Sequence, residues 1–324
     1  MKKIQQLFQS YQEANNFRAL QPQTLYEPLD YILSLKGKQI RPILSLLACD
    51  VFGGNAPDAL PVAMAVEIFH NFSLMHDDIM DASPLRRGQP SIHEKYGNNT
   101  AILSGDVMLI YAYEQLHKVD GQLFLQLFPV FNKVAIGVCE GQQMDVDFES
   151  QTTVALEEYI RMIELKTSVL LYGALKMGAL VANASEEEAE LIGDYGRNLG
   201  IAFQIKDDWL DTFGSKAKVG KRIGGDIVQN KKTALVIKAL ELADDATRAE
   251  LTALLAQPTP VEEEDSKIEK VTKIFRALNI PEEMQNLMDL YSNKALDNLE
   301  SLRLSNDKKQ QLRDFLDMLM KREH

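Results

Sequence analysis

The chain has 324 residues, of which 45% are hydrophobic, so it can form a large core as one big domain or two ordinary ones. Its formal net charge of −12 excludes a typical nucleic-acid-binding protein, which neutralises phosphates with clustered Lys and Arg. Only 7% of the residues are aromatic, and most segments are rich in the good helix formers Ala, Leu, Glu, Lys, Met and Gln. The composition therefore predicts an all-α protein.

The cysteines and the apolar segments indicate the cellular compartment of the protein. Cys49 and Cys139 lie in apolar stretches without a C-x-x-C pair, which predicts buried, reduced thiols and no disulfide or zinc framework. Segment 1–17 begins with Met-Lys-Lys but lacks an apolar core and a cleavage site, so we predict no signal peptide. No apolar run reaches the roughly 20 residues of a membrane span. We therefore expect a cytoplasmic protein without a membrane span.

Helical periodicity runs along nearly the whole chain. Apolar residues recur every three or four positions, as at Leu25, Leu29 and Ile32, which is the pattern of helices with one buried face. The breaks are short, and none is long enough for a domain linker, so we predict one domain over residues 1–324. The acidic, proline-containing segment 257–265 is predicted to be a surface loop.

The first candidate site lies in the segment Gly37-Lys38-Gln39-Ile40-Arg41-Pro42. Lys38 and Arg41 stand at the start of a predicted helix, where backbone N–H groups add to anion binding. Taken alone, this pair is also typical of an ordinary basic surface.

Two acidic clusters of the form D-D-x-x-D follow, at residues 77–81 and 207–211. Positions i and i+4 of a helix share one face about 6 Å apart, so Asp77 pairs with Asp81, and Asp207 with Asp211. A single cluster is also typical of a solvated acidic face. Both clusters, however, are embedded in apolar sequence, where like charges require a compensating cation. Oxygen ligands without His or Cys favour Mg²⁺, which takes its remaining ligands from phosphates and water.

Basic residues accompany both acidic clusters. Arg86 and Arg87 lie in a loop bounded by Pro and Gly, and the planar guanidinium of arginine binds phosphate oxygens in pairs. Lys166, Lys221 and Lys231 follow later in the chain. The glycine-rich loop around Lys221 lacks P-loop spacing and a preceding strand. Carboxylates for a metal and cations for phosphate together predict a diphosphate substrate held by Mg²⁺ in a helical cavity.

In this order the motifs resemble those of the trans-isoprenyl diphosphate synthase (polyprenyl synthetase) family, and the match covers nearly the whole chain. The resemblance implies the isoprenoid synthase-type helical bundle with a central apolar cavity, and a homodimer. It also implies head-to-tail condensation of isopentenyl diphosphate with an allylic diphosphate, which releases pyrophosphate.

The resemblance also implies the role of each motif residue. Direct Mg²⁺ ligands would be Asp77, Asp81 and Asp207. The wider catalytic set would be Asp77, Asp78, Asp81, Lys166, Thr167, Gln204, Asp207, Asp208 and Asp211. The allylic diphosphate would be held by Arg86, Lys166, Lys221 and Lys231, near Thr167 and Gln204. Isopentenyl diphosphate would be held by Lys38, Arg41, His70 and Arg87.

Two further features concern a loop and the product. The family's usual Glu-Gly before the last lysine is replaced by Gln229-Asn230, and Asn adopts left-handed backbone geometry less freely than Gly. Phe72 and Ser73 lie about one turn before Asp77, where the family's product tunnel ends. A bulky Phe72 beside a small Ser73 suggests a short-chain product, geranylgeranyl diphosphate before farnesyl diphosphate.

Two other functions stay open. A class I terpene cyclase shares the fold, but it usually has an N-S-E-type second metal motif instead of a second D-D-x-x-D. A non-catalytic regulatory subunit would be expected to have lost one acidic cluster, and both are intact here.

Overall fold

A computed structural model describes residues 2–35, 37–214, 223–256 and 260–321 of the chain. Almost all regular structure in these residues is helical, which confirms the predicted all-α fold. The N-terminal helices are α1 (Lys2–Ala14), α2 (Gln23–Ser34), α3 (Ile40–Val51), α4 (Leu60–Met80), α5 (Ile92–Tyr96), α6 (Asn98–Leu116) and α7 (Gly121–Ser150). A two-stranded antiparallel hairpin, β1 (Leu85–Arg86) and β2 (Gln89–Pro90), follows α4, with Leu85 opposite Pro90.

The C-terminal part of the chain continues with helices. These are α8 (Leu156–Ile163), a π-helical turn (Glu164–Ser168), α9 (Val169–Val181), α10 (Glu186–Phe213), α11 (Gly225–Val228), α12 (Ala234–Leu242), α13 (Asp245–Leu255), α14 (Glu264–Ala277), α15 (Ile280–Ser301) and α16 (Asn306–Met320). Two 3₁₀ turns, Ala56–Ala59 and Val261–Glu263, precede α4 and α14.

The chain divides into two compact units. The first unit comprises Met1–Val138, Val169–Gly196 and Ser301–Lys309, and the second comprises Cys139–Ser168, Arg197–Glu300 and Gln310–His324.

The core of the first unit is built around α4. Apart from Glu67, this helix is apolar on every side over residues 60–69 and is largely buried there, as a helix without a polar face must be. It packs on α3 and α6, and α3 packs on α9. The contact between α3 and α9 is close at Gly178, where an added Cβ would lie 2.1 Å from the carbonyl oxygen of Ser45. Glycine is therefore required at this point of the core.

The second unit has a core of its own. Large apolar side chains from α8, α10, α12, α13, α14 and α15 meet in it, among them Tyr159, Ile205, Leu235, Phe275 and Met284. Ile205 belongs to α10, which carries the second acidic cluster, and Tyr159 belongs to α8, which leads into the turn with Lys166 and Thr167. The packing of this core therefore fixes the backbone at these candidate residues.

The two cysteines differ in their surroundings. Cys49 is buried, as predicted, and burial raises the pKa of its thiol to about 11. Cys139 is exposed, so the prediction of a buried thiol was wrong for this residue. The reason is that α7 carries apolar residues on its exposed side as well, for example Leu125 and Ile136, so apolar neighbours did not indicate burial.

Helix α7 bears on the expected absence of a membrane span. Among the described residues, it is long and apolar enough to cross a membrane by length and composition, with a mean hydropathy of 1.4 over 18 residues, of which 33% are buried. The prediction missed this helix because it looked for an uninterrupted apolar run, whereas α7 contains scattered polar residues such as Asn132 and Lys133. The length and hydropathy of one helix are weak evidence for a membrane span, since core helices of soluble proteins meet the same criteria.

The acidic segment near residue 260 is more regular than predicted. Residues 261–263 form a 3₁₀ turn and Glu264 begins α14, so the end of the predicted loop is helical, while residues 257–259 lie outside the described residues. Acidic side chains in the first turn of a helix interact favourably with the positive end of its dipole. The run that suggested a loop is therefore a helix start.

Candidate active site

The first acidic cluster lies at the end of α4, where Asp77 and Asp78 occupy the last turn and Asp81 is the C-terminal cap residue. Asp78 is 1% exposed, and Arg86 donates to both of its carboxylate oxygens, from Nη2 to Oδ1 over 2.5 Å and from Nε to Oδ2 over 3.1 Å. Burial raises the pKa of Asp78, although Arg86 opposes the shift. Arg86 therefore fixes the inner aspartate, while Asp77 and Asp81 are partly exposed.

The hairpin that carries the two arginines directs them differently. Arg87 and Gly88 both have positive φ, 55° and 76°, as in the tight turns that match the twist of a hairpin. Arg86 also lies 3.7 Å from Asp77, whereas Nη1 of Arg87 donates to the carbonyl oxygen of Leu35. The predicted phosphate-binding pair is thus split between the first acidic cluster and the segment before α3.

Arg41 and His70 are brought together in the first unit. Arg41 lies in the first turn of α3, and its Nη1 is 3.2 Å from Nε2 of His70. Because a guanidinium only donates hydrogen bonds, Nε2 accepts here and the ring proton of a neutral histidine is on Nδ1. Burial, followed by the charges of Arg41 and Arg87, holds the pKa of His70 well below its ordinary value. Lys38 belongs to the same segment, two residues before α3.

Glu67 was not predicted as a site residue, although it lies one turn before His70 and is 3% exposed. Nδ2 of Asn71 donates to its Oε1 over 3.1 Å. Burial raises the pKa of Glu67, while Asn71, Arg87 and Arg41 act in the opposite direction. The sequence did contain a signal, because Glu67 is the only charged residue in the apolar run 60–69, and buried acids usually have a basic or hydrogen-bonding partner.

The second acidic cluster lies in α10 and is tied to neighbouring elements by hydrogen bonds. Asp208 is 7% exposed, and it accepts from Oη of Tyr159 over 2.5 Å and from Nε2 of Gln204 over 2.9 Å. Oγ1 of Thr167 donates to Oε1 of Gln204 over 3.0 Å. The predicted residues Thr167, Gln204 and Asp208 thus form one chain of hydrogen bonds, and Tyr159, which was not predicted, ends it.

Negative charge is concentrated around Asp208. Burial, with the carboxylates of Asp207 and Asp211, raises the pKa of Asp208 to about 7. Asp226, at the start of α11, was not predicted; its backbone N–H donates to Oδ2 of Asp211 over 3.0 Å, and burial raises the pKa of its own carboxyl group well above its ordinary value. Such a group of acids is stabilised by a cation.

Two of the predicted lysines meet at one carboxylate. Nζ of Lys166 lies 2.6 Å from Oδ2 of Asp145, and Nζ of Lys231 lies 3.7 Å from the same oxygen. These three residues line a cavity of about 140 Å³, together with Thr167 and Gln204. Asp145 was missed by sequence reasoning. Its signal was weak, a single acid four residues after Gly141 on the same face of a long helix.

The π-helical turn places Lys166 and Thr167. An added Cβ at Gly141 of α7 would lie 2.3 Å from the backbone nitrogen of Lys166, so α7 approaches this turn at backbone distance. Single π-helical turns inside helices are frequent at functional sites, because the extra residue redirects side chains. Here the turn and the glycine together set the position of the two predicted residues.

The departure at Gln229-Asn230 has a structural explanation. Asn230 has φ of 58°, the left-handed conformation that Gly adopts freely and Asn tolerates best among the other residues. Its Oδ1 accepts from Nζ of the buried Lys267. Asn230 therefore preserves the turn before Lys231. Lys221, the remaining predicted lysine, lies outside the described residues.

The predicted product-length residues lie on α4. Phe72 is 8% exposed, and its ring centroid is 5.5 Å from that of Phe69 and 4.9 Å from that of His76. Oγ of Ser73 donates to the carbonyl oxygen of His70 over 2.8 Å. Phe72 is thus held in an aromatic cluster, and Ser73 is turned back onto its own helix.

The acidic residues fit Mg²⁺ by their chemistry. Within residues 2–35, 37–214, 223–256 and 260–321, no group of three or more His, Cys, Asp or Glu is arranged to hold a metal by itself. The donors are carboxylate oxygens in pairs, which suits an ion that takes only one or two carboxylates from the protein and the rest of its ligands from phosphates and water.

Comparison with solved structures identifies the class. A crystal structure of a geranylgeranyl pyrophosphate synthase superposes with a TM-score of 0.94 at 45% identity and covers 99% of each chain. That of the geranylgeranyl pyrophosphate synthase from Corynebacterium glutamicum, complexed with isoprenyl diphosphate and magnesium, gives a TM-score of 0.84 at 25% identity, over 99% of this chain and 97% of that one. The fold is therefore the all-α isoprenoid synthase fold.

Sequence comparison identifies the family. The family model described as polyprenyl synthetase matches residues 22–275. The short chain isoprenyl diphosphate synthase of Methanothermobacter thermautotrophicus is 36% identical over 304 residues, which are 94% of this chain and 92% of that protein. The chain belongs to the polyprenyl synthetase family.

Proposed function

We propose that the chain condenses isopentenyl diphosphate head to tail with an allylic diphosphate, in a Mg²⁺-dependent reaction that yields a short-chain all-trans prenyl diphosphate and pyrophosphate. The observation that carries this proposal is the cavity in the second unit, where Lys166 and Lys231 meet beside Thr167 and Gln204. Two ammonium groups close together can bind the oxygens of one diphosphate. Membership of the polyprenyl synthetase family supports the type of reaction.

Asp77, Asp81 and Asp207 would hold Mg²⁺, with Asp78, Asp208 and Asp211 beside them in the same motifs. All three of these neighbours accept hydrogen bonds, Asp78 from Arg86, Asp208 from Tyr159, and Asp211 from the backbone N–H of Asp226. When bound, Mg²⁺ stabilises the negative charge that develops on the departing diphosphate. The relative from Corynebacterium glutamicum, complexed with isoprenyl diphosphate and magnesium, supports this ligand class.

The residues of the chain provide the remaining chemistry. Lys166 and Lys231 hold the allylic diphosphate while the bond between its C1 and the diphosphate oxygen breaks, and the electron pair leaves with the oxygen. The double bond of isopentenyl diphosphate forms the new bond to C1 of the allylic group. The released pyrophosphate then takes the proton lost from C2 of the isopentenyl unit. Dipoles of Thr167 and Gln204 stabilise the cationic intermediate. The apolar side chains of Met162 and Ile163 line the same cavity and exclude water.

Isopentenyl diphosphate would be held by Lys38, Arg41, His70 and Arg87 in the first unit. The contact between Arg41 and His70 supports this assignment, because it leaves the neutral ring of His70 with its N–H on Nδ1 as a donor. Lys38 and Arg41 lie at the start of α3, where the positive end of the helix dipole also favours an anion.

The proposed product is geranylgeranyl diphosphate. The structure at 45% identity is that of a geranylgeranyl pyrophosphate synthase, which supports this length. Phe72 supports it as well, since a bulky side chain held in an aromatic cluster can end the space for a growing prenyl chain.

We also propose that the chain is a homodimer through α6 and α7. The two helices pack on each other through Tyr113, whose Oη donates to Oδ1 of Asn132 over 3.0 Å. Their outer side, called the α6/α7 surface here, exposes large apolar residues, namely Ile102, Leu103, Ile110, Leu125, Phe128 and Ile136. Exposed apolar side chains on two adjacent helices typically mark an interface, and a second copy would bury them against an equally apolar surface.

The test is an incubation of the purified protein with isopentenyl diphosphate, Mg²⁺ and either dimethylallyl, geranyl or farnesyl diphosphate, followed by separation of the dephosphorylated products by length. Elongation is expected, and Asp77→Ala or Asp207→Ala should abolish it, whereas the exposed Asp147→Ala serves as the matched control and should not. A folded protein that elongates no starter would exclude the synthase and leave the cyclase or the regulatory subunit.

A further inference from the structure

The segment before α3 has a backbone conformation that needs support. Gln39, which precedes the helix, has φ of 48° and ψ of 39°, a left-handed geometry that side chains other than Gly and Asn rarely adopt. Its carbonyl oxygen accepts from the backbone N–H of Ile43 over 3.3 Å, so this conformation also sets where α3 begins. The position of Arg41 in the first turn of α3 therefore depends on Gln39.

A side chain of α1 provides this support. Nε2 of Gln39 donates to Oε1 of Gln12 over 2.7 Å, and Nε2 of Gln12 donates to the carbonyl oxygen of Leu33 over 3.2 Å. The amide of Gln12 thus joins the end of α2 to the residue just before α3. Because Phe8 of the same helix is completely buried, α1 is a fixed base for this bridge.

Arg87 holds the same segment at another point. Its Nη1 donates to the carbonyl oxygen of Leu35, and its guanidinium lies against Gly37, where an added Cβ would be 2.6 Å from Cζ. Leu35 and Gly37 are therefore held by Arg87, and Gln39 is held by Gln12. Lys38 lies between these two points.

We infer that Gln12 is a positioning residue for the isopentenyl diphosphate site: it acts through Gln39 to hold Lys38 and Arg41 in their binding arrangement. The inference rests on the proposed function, because it assigns these two basic residues to that substrate. It extends the site to a helix that carries none of the family motifs. Gln12 itself touches no substrate.

The experiment compares Gln12→Leu in the full chain with Gln9→Leu. Gln9 is the matched control, because it lies on α1 and, like Gln12, lines a cavity of about 340 Å³. Unlike Gln12, it makes no side-chain hydrogen bond to the described part of the chain. Loss of one hydrogen-bonded bridge should raise the KM for isopentenyl diphosphate about 2- to 10-fold. The KM for the allylic diphosphate should not change, and Gln9→Leu should leave both constants unchanged.

Two further measurements separate a positioning role from a general loss of stability. Hydrogen exchange of a peptide covering residues 35–41 should become faster in Gln12→Leu and not in Gln9→Leu. In a double-mutant cycle, Gln12→Leu combined with Gln39→Leu should raise the KM for isopentenyl diphosphate no more than the larger single effect, since both changes remove the same bond.

The outcomes distinguish the inference from the proposed function. If the wild-type protein elongates and Gln12→Leu leaves the KM for isopentenyl diphosphate or the exchange of 35–41 unchanged, the positioning role is refuted and the synthase stands. An equal rise in the KM of both substrates also refutes it. If the wild-type protein elongates no starter, the proposed function fails, and the inference fails with it.

Discussion

Asp145 sets the positions of the ammonium groups of Lys166 and Lys231 in the second unit. Two ammonium groups close together repel each other, and a carboxylate between them both neutralises and orients them. Lys166 and Lys231 depend on Asp145 in this way, since both lie within 4 Å of the same oxygen, at 2.6 and 3.7 Å.

Asp145→Asn should therefore weaken binding of the allylic diphosphate. A hydrogen bond to a charged group contributes about 1.5–3 kcal/mol, which corresponds to a rise in KM of roughly 10- to 150-fold. Steady-state kinetics with geranyl diphosphate measure this, and Asp147→Asn, an exposed change on the same helix, is the control. A lower KM would mean instead that Asp145 competes with the substrate for the lysines.

His70 should stay neutral in the folded protein well below pH 6.5. Its pKa is lowered by burial and by Arg41, so the folded state binds a proton less readily than the unfolded state. The contribution of His70 to stability is thus present above its ordinary pKa of about 6.5 and is lost as the pH falls below that value.

Nitrogen NMR of histidine-labelled protein measures both the charge and the tautomer. The His70 signals, assigned with His70→Gln, should show a proton on Nδ1 and no titration near pH 6.5. A midpoint close to 6.5, or a proton on Nε2, would contradict the contact with Arg41.

At the residue scale, the sequence identified the groups that carry charge but not their partners. Asp208 and Lys166 stood out because acids and bases in apolar helices need a function or a partner. Tyr159 and Asp145 did not, because they lie 49 and 21 residues away from them in sequence, and only the fold brings them into contact. Lys221, in contrast, lies outside the described residues, so its role stays a prediction.

At the scale of elements, α4 combines two roles. Its first turns are core, and its last turns carry His70, Phe72 and the first acidic cluster. A change at Phe72 can therefore alter product length without moving the aspartates, because Phe69 and His76 hold the ring from within the same helix.

Phe72→Ala should lengthen the product beyond geranylgeranyl diphosphate. The change removes most of a buried aromatic side chain and leaves a cavity, at a cost in stability of about 3–5 kcal/mol if nothing fills it. Chromatography of the dephosphorylated products gives the length, and Met80→Ala, an exposed change at the end of the same helix, is the control. An unchanged product distribution in a folded variant would remove Phe72 from the product tunnel.

The elements that the sequence did not predict are the short or irregular ones. The π-helical turn at Glu164–Ser168 differs from an α-helix by one residue, too little to change the apolar periodicity. The hairpin at Arg86 and Arg87 has strands of two residues, which leaves no alternation to detect. Both irregular elements carry predicted site residues.

At the scale of the whole molecule, the amphipathic pattern was sufficient for the all-α fold, because nearly every segment has apolar residues at helical spacing. The same pattern did not separate buried apolar residues from the exposed ones on the α6/α7 surface, because both recur at helical spacing. One domain over residues 1–324 and a location in the cytoplasm stay predictions.

Ile110→Glu should convert the proposed dimer to a monomer. Ile110 is 60% exposed, and a second copy would bury it, so the new carboxylate would lose its hydration without a partner. Light scattering should give a mass near 36.5 kDa for the variant and twice that for the wild type. Leu242→Glu, at a leucine that is 47% exposed outside this surface, should keep the wild-type mass. A monomeric wild type would contradict the proposal.

The contact between α3 and α9 has a consequence for how this sequence can evolve. An added Cβ at Gly178 would meet a backbone oxygen of Ser45, not the end of a movable side chain. A compensating substitution can shorten a side chain, but it cannot remove a carbonyl group. We therefore expect that Gly178 cannot be substituted, even together with side-chain changes on α3. If relatives keep a glycine at this position, the reason is the close approach of the two helices and not a role in the reaction.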